Sequence, residues 1–255
     1  MGREDEILFF VKFGKKKHLE QLINGKGYFS NSGCFNKIER EQMKKGQGDI
    51  LDGRMLIHAI DAEIKNNITD VIKKIENIIF NIGFEGIDKM LAFCLTAGFI
   101  EDCEYHNLPN KYKIKFSRRK EKKIREHFKD ADSALLIETP KKFIKCVTQA
   151  FKEKCYAGLV HYYDMFKLTI DRLEFLTGEP FDPNNRRVFT IKIDDIYKHL
   201  YCKDYFFDEQ QEFRFVIPEI TITEPKIFEI GKDFKSKLVN INEFFNGIKV
   251  GEYGN

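Results

Sequence analysis

Asp208-Glu209-Gln210-Gln211-Glu212-Phe213-Arg214-Phe215-Val216-Ile217 is a polar run that turns into a β-strand. Side chains alternate across a strand, so Gln210, Glu212 and Arg214 fall on one face while Phe213 and Phe215 fall on the other. The aromatic face anchors in a core. The opposite face then presents an amide, a carboxylate and a guanidinium within two residue repeats. A carboxylate fixed on a rigid strand can stabilise a developing cation or orient a hydroxyl, with Gln210 assisting. The plainer reading makes Glu212 and Arg214 the solvated face of an edge strand, paired across the ladder.

Outward from this strand, residues 7–13 form an apolar, aromatic strand, and residues 15–24 place Leu19, Leu22 and Ile23 at helical spacing before Gly25. Residues 27–30 form a short strand with Tyr28 and Ser30 on one face. Residues 31–54 are polar, with turn signals at Gly48-Asp49 and Asp52-Gly53, and are expected to be a loop. Residues 55–60 are strand-like. Ile64, Ile68, Val71, Ile72, Ile75, Ile78 and Ile79 fit an amphipathic helix. Further strands are expected over 90–96, 112–116, 133–138, 157–163, 187–193 and 226–230. A helix is expected from Thr139 as N-cap through Pro140 to about residue 152, and a short one over 242–246. There is no repeat and no linker. The expected fold is α+β, a single domain over 1–255 with a mixed or mostly antiparallel sheet and flanking helices.

The chain has 255 residues, 42% hydrophobic and 33% charged, which suits a globular protein with a sizeable core. A net charge of +3 is too small to imply a nucleic-acid binder by itself. Six scattered cysteines without a Cys-x-x-Cys pair read as free thiols in a reducing cytoplasm. The charged start is no signal peptide, and no apolar run reaches membrane-spanning length, so no membrane partner is expected. The histidines lack metal-ligand spacing, and no serine-hydrolase, P-loop or dinucleotide fingerprint occurs.

Three other stretches carry candidate chemistry. Tyr28-Phe29-Ser30-Asn31-Ser32-Gly33 can stack an aromatic ligand and hydrogen-bond its sugar or phosphate, or can simply be a strand end with turn hydrogen bonds. Asn36, Glu39, Asp49 and Asp52 bring four oxygen-bearing side chains close together, but not at the spacing of a calcium loop, and no metal is expected. Residues 111–130 hold ten Lys or Arg against three acids. Lys115, Arg118, Arg119 and Lys120 are the candidate nucleic-acid contacts there, and the alternative is a solvated helix face with Glu121 and Arg125 as an i,i+4 pair.

Taken in order, Tyr28-Phe29-Ser30, Phe35-Asn36, Phe93-Cys94-Leu95 and Gln211-Glu212-Phe213-Arg214 resemble the elements of a widespread bacterial domain of unknown function. Lys37-Ile38-Glu39 stands where an Asp-Pro follows the Asn in that domain. More distantly, the order of Tyr28, Ser30, Gln210 and Glu212 is similar to that of the ADP-ribosyltransferase superfamily. That likeness implies NAD as substrate in a cleft between sheet halves, with nicotinamide on Tyr28 and Ser30 buttressing the glutamate. It implies Glu212 and Gln210 as catalytic residues, with Lys12 and Arg214 as further NAD contacts. On the first strand this chain has Phe10, Lys12 and Phe13 in place of the customary His, Arg or Tyr. The implied role is a toxin or phage-defence effector modifying nucleic acid or protein. The alternative is a non-enzymatic nucleic-acid or nucleotide binder that uses the basic stretch 111–129.

Overall fold

The computed structural model describes residues 3–43, 48–65, 72–105, 112–167, 169–180, 182 and 192–250. In chain order the first half runs β1 (Phe9–Gly14), α1 (Lys16–Ile23), β2 (Lys26–Phe29), α2 (Ser32–Gln42), β3 (Arg54–Lys65), β4 (Ile72–Gly83), β5 (Met90–Gly98), β6 (Cys103–Tyr105), β7 (Tyr112–Ile114) and α3 (Arg118–His127). The second half runs β8 (Ser133–Ile137), α4 (Pro140–Ala150), β9 (Tyr156–Leu159), β10 (His161–Tyr163), α5 (Ile170–Thr177), β11 (Cys202–Asp204), β12 (Glu212–Thr221), β13 (Lys226–Glu229), β14 (Ser236–Asn240), α6 (Ile241–Phe245) and β15 (Ile248–Val250). Two 3-10 segments, Ile193–Tyr201 and Tyr205–Gln210, lead into β11 and β12. Among the described residues no helix is long and apolar enough to cross a membrane.

The fold is α+β around a six-stranded sheet in the order β14-β8-β1-β5-β12-β9, with every neighbouring pair antiparallel. One face is mostly apolar, with Lys12 as an exception. Phe10, Phe93, Leu95, Leu135, Ile137, Phe213 and Phe215 pack there against Leu19 and Leu22 of α1 and Phe143 and Val147 of α4. Phe10 and Phe213 meet at a ring-centroid distance of 4.8 Å, and Phe143 turns its edge to Phe10 at 6.3 Å. Each such buried ring contributes roughly 1.5–3 kcal/mol of transfer free energy, which pins the register of β12. The second face is divided. Phe9, Val11 and Phe13 pack with Ile124 of α3 and with α6, while Val216 packs with Leu200 and Tyr201.

Helix α1 stops where Gly25 takes a left-handed φ of 80°, and a Cβ there would lie 2.8 Å from the carbonyl oxygen of Gly231. Only glycine fits that turn.

Two sequence expectations are corrected, a third is refined and a fourth falls mostly outside the described residues. Where residues 64–79 are described, at 64–65 and 72–79, the expected helix is instead part of a two-stranded ribbon, β3 antiparallel to β4, with Ile82 opposite Met55 and Phe80 opposite Ile57. Isoleucine is stiff at χ1 and suits a pleated surface, so a run of β-branched residues mimicking a helical stripe goes to strand. The loop expected over 31–54 contains α2, capped by Asn31, whose Oδ1 accepts from the Cys34 amide at 2.7 Å. Thr139 stands at the N-cap of α4 with Pro140 at its first turn, as expected, but its hydroxyl makes no cap bond; it accepts from the Lys235 amide at 2.8 Å and ties the approach to β14 to the helix start. The strand expected over 187–193 lies outside the described residues except for its last two, where a 3-10 helix begins at Ile193.

Candidate functional site

β1 and β5 pair only from Phe9 to Val11, opposite Gly98 to Thr96. Beyond Val11, β1 stays with β8 as far as Gly14, and β5 stays with β12 back to Met90. The sheet therefore parts. The edge of β5 that faces the fork still needs partners for its backbone groups. Ser30 supplies them at Ala92, with reciprocal amide-to-carbonyl bonds of 2.9 and 2.8 Å. Two residues further on, the ammonium of Lys12 donates to the Cys94 carbonyl at 2.6 Å. A first-strand lysine thus bridges the two sheet halves.

The fork holds a cavity of about 560 Å³, within the range of small-molecule sites. Lys12, Tyr28, Ser30, Gln210, Glu212 and Arg214 all line it. The six candidate residues for NAD and catalysis, split between the first 30 residues and residues 210–214, therefore meet in one place. Tyr28 keeps an exposed ring, 5.8 Å from that of His18. Ser30 belongs to the site through its backbone bridge and its position on the wall.

Below the cavity lies a buried ionic cluster. β12 is an inner strand, so the reading of Glu212 and Arg214 as a solvated edge face is overturned: they are 5% and 0% exposed. Arg214 Nε donates to Glu212 Oε1 at 2.7 Å, and Nη1 donates to Asp52 Oδ1 at 2.7 Å and to the Leu200 carbonyl at 2.5 Å. Lys203 on β11 donates to Glu212 Oε2 at 2.8 Å. Burial alone pushes the Glu212 carboxyl up, but Arg214 and Lys203 outweigh it and hold the group well below the usual carboxylate range. The Cys94 thiol also hydrogen-bonds this carboxylate, and burial and the nearby charge push that thiol up to about 12. The backbone amide of Glu212 donates to the Tyr162 hydroxyl at 2.8 Å.

Gln210 does not sit on the strand face. Gln211 takes a left-handed φ of 41° that separates the 3-10 turn from β12. Gln210 enters the cavity from that turn with its amide held at both ends. Nε2 donates to His127 Nδ1 at 3.1 Å, and Oε1 accepts from Lys203 at 3.4 Å. Burial, with Lys123 and Lys203 nearby, pushes His127 down to about 4, so the ring is neutral and can accept.

Sequence reasoning missed Lys203, and it weighed Asp49 and Asp52 only as metal ligands and set them aside as turn residues. Asp49 lines the cavity at 4% exposure, and its Oδ1 accepts from the Leu51 amide at 3.0 Å. Burial pushes it up to about 6, against the opposing pull of Lys203 and with help from Asp52. The Gly-Asp and Asp-Gly pairs flagged this loop as turns, which is right for the backbone. Nothing local shows that both carboxylates turn inward.

The basic stretch is divided by burial. Lys120 is 3% exposed and pairs with both Asp102 oxygens at 2.7 and 2.8 Å, so it is withdrawn as a nucleic-acid contact. Lys115 pairs with Glu104, and Arg119 meets Glu209 at 2.6 Å and Asp208 at 3.6 Å. Arg118 is exposed at the start of α3. Arg125–Glu121 and Lys122–Glu126 are i,i+4 pairs along the same helix.

No family model, no curated protein and no solved structure matches the chain.

Proposed function

We propose that the chain is an ADP-ribosyltransferase-like enzyme that takes NAD⁺ into the cavity between the parted strands and transfers ADP-ribose to a nucleic-acid or protein acceptor. The observation that carries this reading is the meeting of Tyr28, Ser30 and Glu212 on one cavity, with the carboxylate held ionised. An exposed ring at the rim suits stacking on nicotinamide. Lys12, Lys15, Lys17, Lys203 and Arg214 line the cavity against Asp49, Asp130 and Glu212. That excess of cations suits a diphosphate. A buried cluster of this kind costs more than apolar packing of equal volume, which fits a site kept for chemistry rather than for stability.

In the reaction the C1′–N1 bond of the nicotinamide riboside breaks, and its electron pair leaves with neutral nicotinamide. The ribose becomes an oxocarbenium-like cation. Glu212 stabilises that cation electrostatically, preorganised by Arg214 and Lys203 so that no charge has to move during the step. Gln210 orients the acceptor, whose oxygen bonds C1′ and loses its proton. All six cysteines are free thiols, in keeping with a cytoplasmic enzyme, and a toxin or phage-defence role follows from NAD⁺ consumption or acceptor modification.

The test is nicotinamide release from labelled NAD⁺ by the whole chain, with label transfer to RNA, DNA and protein of a cell extract measured alongside. Glu212→Gln is expected to lose about 100- to 1,000-fold in turnover while still binding NAD⁺. Tyr28→Ala, which alters a half-exposed ring, is expected to weaken NAD⁺ binding about tenfold or more. Absence of both binding and nicotinamide release in the unaltered protein, or full turnover in Glu212→Gln, overturns the proposal.

A further inference from the structure

We infer that Asp49 is the general base of the transfer, taking the proton from the acceptor oxygen as it bonds C1′; this rests on the NAD⁺ reading of the cavity. The groups that line the cavity narrow the choice. Glu212 has one oxygen on Arg214 and the other on Lys203, and these two cations hold it ionised well below the usual carboxylate range, so it is a weak base. Gln210 is an amide and cannot take a proton at all. Asp130 already has an interaction partner. Lys12 is spent on the Cys94 carbonyl.

Asp49 differs from all of these. One of its oxygens, Oδ1, is anchored by the Leu51 amide, while Oδ2 is buried without a hydrogen-bond partner. A carboxylate that lines a cavity, anchored through one oxygen with the other buried and unpaired, is suited to take a proton. The charged groups around it are Lys203 from β11, Arg214 from β12 and Asp52 from its own loop. Glu39 of α2 closes the loop by accepting from the Ile50 amide at 2.8 Å. In this setting Asp49 titrates near 6 while Glu212 stays ionised well below it. Two carboxylates whose surroundings push them apart divide an acid–base task from an electrostatic one.

The proton balance is simple. The acceptor O–H gives its oxygen lone pair to C1′ and its proton to Asp49 Oδ2, and the glycosidic electron pair leaves with nicotinamide. With water as acceptor the products are ADP-ribose and nicotinamide.

The experiment is the pH profile of NAD⁺ hydrolysis by the whole chain, with NAD⁺ binding measured separately, for the unaltered protein, Asp49→Asn and His18→Asn. His18 is included because it is the exposed imidazole at the rim. The unaltered protein should gain turnover as pH rises through about 6. Asp49→Asn should lose about 100- to 10,000-fold in turnover and lose that rise, with NAD⁺ binding retained. His18→Asn should keep the rise. Turnover in Asp49→Asn with the rise intact, or disappearance of the rise in His18→Asn, overturns the role of Asp49 and leaves the NAD⁺ reading standing. Absence of NAD⁺ binding and hydrolysis in the unaltered protein overturns both.

Discussion

Among the described residues, two ionic clusters that neighbouring residues serve can be compared. Gln211 accepts from Lys120, whose ammonium also holds both oxygens of Asp102 and lies 4.1 Å over the Phe116 ring. Asp102 in turn accepts from the Phe99 amide at 3.1 Å. That cluster is closed: no side-chain atom of Lys120, Asp102 or Gln211 is buried without a hydrogen-bond partner. Gln210 belongs to the other cluster, with Lys203, Glu212, Arg214, Asp52 and Asp49. There Asp49 Oδ2, Asp52 Oδ2 and Arg214 Nη2 are buried without hydrogen-bond partners. Since nearly all buried polar atoms are paired in folded proteins, the unpaired atoms of Asp49 and Arg214, two residues that line the cavity, fit a place that receives something else. The difference between a structural ion pair and a functional one is therefore read from the valences left over, not from burial.

The sharpest way to break that comparison is to remove the cation from each cluster. Lys120→Met and Arg214→Met should each cost about 3–5 kcal/mol in urea unfolding, because each strands buried carboxylate charge. Their ligand behaviour should separate. Lys120→Met keeps NAD⁺ affinity, since Lys120, Asp102 and Gln211 do not line the cavity of the site, whereas Arg214→Met loses it as Glu212 and Asp52 are left facing each other. Equal loss of affinity in both variants would erase the distinction.

A somewhat smaller effect divides the two carboxylates of the open cluster by sign. Asp49 is raised in the folded protein from 3.8 to about 6, so the folded state holds the proton more tightly than the unfolded chain. Its contribution is present at low pH and is lost as pH rises from about 4 to about 6, amounting to at most about 3 kcal/mol. Glu212 runs the other way. Its folded value is depressed, so its stabilisation is full above its ordinary value of 4.5 and is lost as pH falls below it. Asp49→Asn should therefore melt higher than the unaltered protein at pH 8, with the gain vanishing near pH 4. A gain of the same size at both pH values would show that the carboxyl does not titrate in this window.

How much of this was legible beforehand follows from how local each signal is. Alternation around Phe213 and Phe215 fixed the strand and its core face, because period-two burial is written in adjacent residues. The aromatic strand at Phe9–Gly14 and α1 with its Gly25 stop were readable for similar reasons, whereas a shared site for Tyr28 and Glu212 was expected only from the family likeness. The inner position of β12 was not, since sheet order depends on pairings between segments far apart in the chain. The inward turn of Asp49 and Asp52 was hidden in the same way. A turn signal fixes a backbone bend but not which side of it faces the core. The ribbon of β3 and β4 was misread because its isoleucines satisfy a helical stripe and a strand face at once, and only the cross-strand partners decide between them. Lys120 shows the converse limit: within a run of lysines and arginines, nothing in the local pattern picks out the one that turns inward.

The smallest effects are expected on the outer face of α3, where they bear on the nucleic-acid reading. Arg118 and Lys122 lie on the exposed side of the helix. Charge reversal at either should change stability by less than about 0.5 kcal/mol. If the acceptor is RNA or DNA, each reversal that removes a phosphate contact should lower the slope of log affinity against log salt by about one, without changing NAD⁺ hydrolysis. Arg119 serves as the internal control. It is held by Glu209 and Asp208, so Arg119→Ala should loosen the turn that carries Gln210 and act on the open cluster as well. A salt slope indifferent to Arg118 and Lys122 would mean that the charges of this helix serve the fold, as those of Lys120 do.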